Sequence, residues 1–195
     1  MVSLAFLGRL SLKLSLLRRD QEGAAAIEFA AIGSLMLLIW VGCAEVVAGV
    51  GQKHRVTVAA RTVADLATRF ESLNNTDKDI VMGAGSVVLR PDSATGKFRV
   101  TLVAVDIDKD GVAKVGWTET IGTAAAHDPN SALALPSDVL RVPNSQLIWC
   151  QVTYEYKPVF GGFAFRTAGG QQEMVILSDQ IYMRPRRSEA VTRVP

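Results

Sequence analysis

The chain has 195 residues, a length that suits one folded domain plus a membrane anchor. Hydrophobic residues make up 49% of it and the formal net charge is only +2, so whole-chain electrostatics give no reason to expect nucleic acid as a partner. Two cysteines, Cys43 and Cys150, are too few for a disulfide framework. Cys43 falls in an apolar run, whereas Cys150 alternates in phase with Ile148, Val152 and Tyr154. The expectation is two unbridged thiols, with Cys150 acting as a small buried apolar residue.

Three segments follow one another at the N-terminus. Residues 1–23 form a basic leader carrying Arg9, Lys13, Arg18 and Arg19. A small-residue stretch, Ala24-Ala25-Ala26-Ile27-Glu28-Phe29, comes next. An apolar run then extends to Val50, broken only by Glu45. A spanning helix needs about 20 mostly apolar residues, and Phe29 to Ala44 carries no charge. Residues 24–51 are therefore predicted to be a transmembrane helix. Glu28 and Glu45 lie about 25 Å apart at ~1.5 Å per residue, so both carboxylates reach opposite interfaces of a hydrocarbon core about 30 Å thick. A secretory signal places its small-residue cleavage site after the apolar run. Here the small residues come first, and processing would remove the basic part and leave the helix attached.

This inverted order carries a family resemblance. Gly23-Ala24-Ala25-Ala26-Ile27-Glu28-Phe29 resembles the prepilin processing motif, in which a Gly precedes the cut, a Glu stands fifth in the mature chain and an aromatic often follows. The longer stretch from Gly23 to Gly42-Cys43-Ala44-Glu45 is similar to the TadE-like minor pilins, or pseudopilins, of tight-adherence pilus assembly. Gly33-Ser34 occupies the region where family members often carry Pro. The resemblance implies cleavage by a prepilin peptidase after Gly23, with Ala24 as the new N-terminus, Glu28 fifth and Phe29 sixth. It implies that Glu28 meets the freed amine of a neighbouring subunit. Other minor pilins, the major pilin and the assembly platform with its ATPase are the implied partners. It also implies a bacterial inner-membrane location, with the leader cytoplasmic and the C-terminal domain periplasmic. Charge alone leaves the orientation open, because Lys53, Arg55, Arg61 and Arg69 balance the four leader cations.

The residues also admit plainer readings. Glu28 suits the first turn of any helix, where the dipole favours an acid. Glu45 reads as an interfacial boundary residue or, alternatively, as a subunit contact. Ala26, Ala30, Gly33, Gly42 and Gly49 admit close helix contacts and equally fit a lone anchor.

Beyond the span, Val56, Ala59, Ala60, Val63, Leu66, Ala67 and Phe70 recur at helical spacing, with Arg55, Arg61, Asp65 and Arg69 on the other faces. An amphipathic extension over 52–73 is predicted, ending near Ser72 before the turn signal Asn74-Asn75. Residues 74–186 read as a β-rich domain. Phe98 to Val105 and Val112 to Thr120 form a hairpin about Lys109-Asp110-Gly111, followed by strands Gln146 to Tyr156 and Glu173 to Met183. Ala124 to Asn144 is an irregular loop, Gly161-Gly162 and Gly169-Gly170 bracket another, and 187–195 is a mobile tail. The fold class is α+β, pilin-like: a long helix, first transmembrane and then amphipathic, packed on a small antiparallel sheet.

Asp106-x-Asp108-x-Asp110-Gly111 matches the front of a calcium loop, but Trp117 stands where the bidentate Glu belongs, and a hairpin turn explains it better. His54 and His127 are the only histidines. Gly83-Ala84-Gly85 is too short for a phosphate loop. Trp117, Trp149, Tyr154 and Tyr156 read as strand packing. The expected function is structural and non-catalytic, with no cofactor or metal. The alternative is an uncut single-pass anchor for a binding or sensing domain.

Overall fold

The computed structural model describes residues 22–89, 98–158 and 174–195. Most of the leader and the loop bracketed by Gly161-Gly162 and Gly169-Gly170 lie outside the described residues. The molecule divides into two compact units, residues 1–46 and 47–195. Among the described residues the first contributes only helix, the N-terminal part of α1 (Glu22–Ala67).

The second unit is α+β. It holds the rest of α1, a helix α2 (Asn75–Leu89) and four antiparallel strands: β2 (Phe98–Ile107), β3 (Ala113–Ile121), β4 (Ser145–Tyr156) and β5 (Val175–Met183). Their spatial order is β3-β2-β4-β5. Two short strands, β1 (Ser72–Leu73) and β6 (Thr192–Arg193), pair separately in parallel.

Alternation assigns the two faces of the sheet. Val100, Leu102 and Ala104 of β2 join Ile148, Cys150, Val152, Tyr154 and Tyr156 of β4 in one core beneath the helices. Val56, Ala59, Ala60, Val63, Ala64 and Ala67 of α1 complete it, at the spacing of one helical stripe. Four of these six are alanines, which gives the helix a shallow face toward the sheet. Leu66 and Phe70 flank the stripe, half-buried. On the opposite face Val103, Val105, Ile107, Val115, Leu147 and Trp149 form a second core, covered by Leu133, Leu135 and Leu140 of the β3–β4 loop. A bulge between Ala104 and Val105 keeps Val115 and Trp117 on these opposite faces. Gly116 is the extra residue of the bulge, and a Cβ there would lie 2.4 Å from Asp106 Oδ2, so the Asp106 carboxylate would have to turn aside.

The β2–β3 turn is the predicted hairpin. Asp108 Oδ1 accepts from the backbone N–H of Asp110 at 3.0 Å and of Val112 at 2.8 Å. Gly111 supplies the positive φ of 77°. Donation by Val112, the largest influence, holds the Asp108 carboxyl below its ordinary value. The turn is therefore strongest at neutral pH and weakens as acid protonates this group.

Three sequence expectations are corrected. α1 ends at Ala67, short of Ser72. Its last bonds tighten, with Arg69 N–H donating to Leu66 O and Phe70 N–H to Ala67 O, and the distant Arg186 N–H caps Thr68 O at 2.9 Å. Asn74-Asn75 does not simply turn the chain. Asn74 Oδ1 accepts from Asp77 N–H at 2.8 Å and so starts α2. Gly85 lets that helix close on the core, since a Cβ there would meet Val63 Cγ2 at 2.9 Å. The C-terminal segment is not a mobile tail. Val191 is 0% exposed, its carbonyl accepts from Trp117 Nε1 at 2.8 Å, and its N–H donates to Gln146 Oε1 at 2.6 Å. Arg193 binds Glu119 at 2.6 Å and the Leu73 carbonyl at 3.0 Å, and β6 lies along β1.

Val191→Asp places an unpaired carboxyl at this site and should lower domain stability by about 3 kcal/mol or more. The check is a denaturant midpoint of the full chain in detergent, against Arg187→Ala, which is exposed and should stay within about 0.5 kcal/mol of wild type. Both cysteines are free thiols, and burial pushes Cys150 up to about 12 from an ordinary 9.0. The unfolded chain therefore loses this proton first as pH rises through that window. Wild type should lose about 1.4 kcal/mol per pH unit more than Cys150→Ala there, as read from stability measured at successive alkaline pH values.

Candidate functional site

Among the described residues the first unit is a bare helix, and its composition decides what can surround it. From Leu35 through Trp40 six consecutive large apolar residues are 55 to 69% exposed. Consecutive positions sample every side of a helix, so no face is polar. In water a surface this apolar and this continuous is unfavourable. The second half of the same helix has an ordinary amphipathic pattern, with its Ala/Val stripe buried. α1 is the one helix among the described residues long and apolar enough to cross a membrane, and it is a candidate span.

The predicted processing residues all lie on the exposed part of this helix. Gly23 and Ala24 occupy its first turn, and Glu28 follows Ala24 by four residues, which puts the two on one face. Phe29 is 80% exposed. A Cβ on Gly23, Gly33 or Gly42 would meet nothing within 4 Å, so none of these glycines is required by packing among the described residues. Glu45 is half-buried, one residue from the boundary between the two units. Thus Gly23, Ala24, Glu28 and Phe29 are brought together within two turns, and Glu45 stands apart from them at the other end of the apolar run.

Gly33-Ser34 lies inside α1 without interrupting it. The Ser34 hydroxyl donates to Ala31 O at 2.9 Å, which satisfies it in an otherwise apolar stretch.

Past Val50 the helix meets polar groups that sequence reasoning did not single out. The Lys53 ammonium donates to the Ser178 carbonyl and lies 3.9 Å from Asp179 Oδ1. The Thr57 hydroxyl donates to Asp179 Oδ2. These bonds clamp α1 to β5. Nothing in a single sequence pairs positions so far apart, because the link depends on strand register. On the far face of the sheet an open cleft of about 290 Å³ is lined by Arg99, Thr101, His127 and Gln151 among others. Arg99 is bound there to Glu155 at 2.8 Å, and His127 and Trp149 meet edge to face with ring centroids 5.1 Å apart. Among the described residues no three His, Cys, Asp or Glu side chains converge as a metal site would require.

No family model, curated protein or solved structure matches this chain.

If α1 spans a bilayer, a charge at its middle is costly, about 2.5–3.5 kcal/mol for Arg on insertion scales. Leu37→Arg should therefore move part of the protein from the carbonate-resistant membrane fraction to the extractable one. Leu37→Phe should leave the partition unchanged.

Proposed function

We propose that this chain is a TadE-like minor pilin or pseudopilin, a non-catalytic structural component of tight-adherence pilus assembly, cut after Gly23 by a prepilin peptidase. The observation that carries the reading is the position of Glu28. It lies on the same helix face as Ala24, one turn further on, directly before sixteen residues without a charge. An acid there gains from the helix N-terminal dipole. It gains more from an ammonium group at the same depth, and cutting before Ala24 creates one. The uncut chain has no such amine, so the pairing would tie assembly to processing. The partner amine belongs to a neighbouring subunit, and the small residues Ala26 and Ala30, exposed, and Gly33, half-exposed, leave room for its helix to approach. The protein would sit in the bacterial inner membrane with its leader cytoplasmic and its β-rich domain periplasmic. There it would meet other minor pilins, the major pilin and the assembly platform.

A second reading keeps the chain uncut, as a single-pass anchor for a binding or sensing domain. It uses the same span and is favoured by one detail: the Gly23–Ala24 bond lies within the first turn of α1, where the main chain is less open to a peptidase.

Mass spectrometry of the membrane-extracted protein decides between them. The pilin reading expects a mature chain beginning at Ala24. Gly23→Ala should leave the leader attached, whereas Glu28→Ala should be cut normally yet fail to incorporate into pili. A wild-type chain that keeps its leader rejects processing and leaves the anchor.

A further inference from the structure

The clamp between α1 and β5 sets the level of the sheet along the helix. Thr57 and Lys53 hold Asp179 and Ser178, and Gly49 lies against Tyr156, whose Cε1 would be 3.8 Å from a Cβ at that position. Tyr156 is the register partner of Val175. From Asp179 back to Val175 is about 13 Å of strand at ~3.3 Å per residue, and from Thr57 back to Gly49 is about 12 Å of helix at ~1.5 Å. The two elements therefore run side by side, and the start of β5 reaches the level of Val47 to Val50.

Both elements carry exposed apolar residues at that level, on either side of the sheet end: Val175 pairs with Tyr156 on the α1 face, and Ile176 pairs with Glu155, the partner of Arg99, on the far face. Val47 and Val50 are exposed on the helix, and Met174, Val175 and Ile176 are exposed at the start of β5, Ile176 at 65%. Lys157 is exposed beside them, and His54 and Arg55 follow on the next turn of α1. An apolar rim with cations at its border matches a bilayer interface, where apolar side chains enter the acyl boundary and cations stay with the phosphates. The opposite end of the sheet bears the polar Asp108 hairpin and the exposed Val139 turn.

We propose that Met174, Val175 and Ile176 form a second membrane contact, which seats this end of the β-sheet in the lipid headgroup layer beside α1. The occupant is the bilayer surface. The argument for it is continuity: the same helix that is bare and apolar through Val47 and Val50 presents those residues at the level of the patch. The proposal rests on the reading of α1 as a membrane span and is independent of any processing at Gly23. The Lys53–Asp179–Thr57 clamp becomes the device that holds the strand at this depth.

The test uses the full chain carrying Cys43→Ala, reconstituted in bilayers of phosphatidylcholine and phosphatidylglycerol. Cys150, buried and protonated, stays unlabelled. An environment-sensitive fluorophore is attached in turn through Met174→Cys, Ile176→Cys, Val50→Cys and Val139→Cys, all at exposed positions. Phosphatidylcholine brominated high on the acyl chain serves as the quencher. The expected result is quenching at 174 and 176 at least half as strong as at 50, with none at 139. Quenching at 50 alone overturns the second contact while the span stands. A blue shift at 174 and 176 without quenching means that protein covers the patch, which also overturns it. Absence of quenching at 50 removes the span reading and this proposal with it.

Discussion

The packing of an alanine-rich helical stripe on a sheet is the interaction on which the larger unit is built. Ala59, Ala60, Ala64 and Ala67 give α1 a shallow face, Val56 and Val63 are buried in the same core, and Val63 lies against Gly85 of α2. A larger residue at any of the four would push the helix outward and open voids along the β2–β4 centre. Interiors packed like crystals tolerate such changes poorly, and overpacking commonly costs about 1–3 kcal/mol. α2 obeys the same limit at Gly85, where it has no room for a methyl group against Val63 and Phe98.

Polar contacts then fix this helix along its axis. Toward its N-terminal side Lys53 and Thr57 reach β5. At its C-terminal end Arg186 binds Asp65 at 2.8 Å and caps Thr68 through its own N–H. Exposed ion pairs of this kind contribute little stability individually, about 0–1 kcal/mol. Their effect is on register: the apolar stripe alone would accept a slide by one turn, and polar groups at both ends exclude it. The C-terminal strap adds to this through Val191, whose burial and two backbone hydrogen bonds contribute more than the charges around it.

The legible parts of the chain are those with a local period. The apolar run, the amphipathic continuation of α1 and the four central strands each repeat within their own length, and each is found close to its predicted place. Elements with no period of their own escaped. Asn74 reads as a turn residue because capping and turning use the same side-chain chemistry, and Gly83 and Gly85 further obscure α2. β6 has only two residues and pairs with a strand about 120 positions earlier, so its order comes entirely from Val191, Trp117, Gln146 and Glu119. The Lys53–Asp179 clamp is hidden for the same reason. The candidate site is the opposite case. Gly23, Ala24, Glu28 and Phe29 are consecutive or one turn apart, so their order on the page is already their order on the helix.

The two functional readings make different physical demands on that order. An anchor needs a sufficient apolar length and nothing more. It is indifferent to whether a glycine precedes the run, and it gains nothing from an acid within the first turns beyond the modest dipole term of about 0.3–1 kcal/mol. A chain that is to expose a new amine at Ala24 has stricter needs. It requires a small residue where the bond is cut, a carboxylate close enough in depth to meet that amine, and a helix that stays in the lipid after the basic leader has gone. Gly23, Glu28 and the uncharged stretch from Phe29 to Ala44 meet all three at once. Near the membrane interface, where Glu28 begins the span, an ammonium beside the carboxylate would also offset its charge as the helix packs against a neighbour. Under the proposed processing Glu28 would be half of such a pair; for an uncut anchor it is a boundary residue at the start of the span.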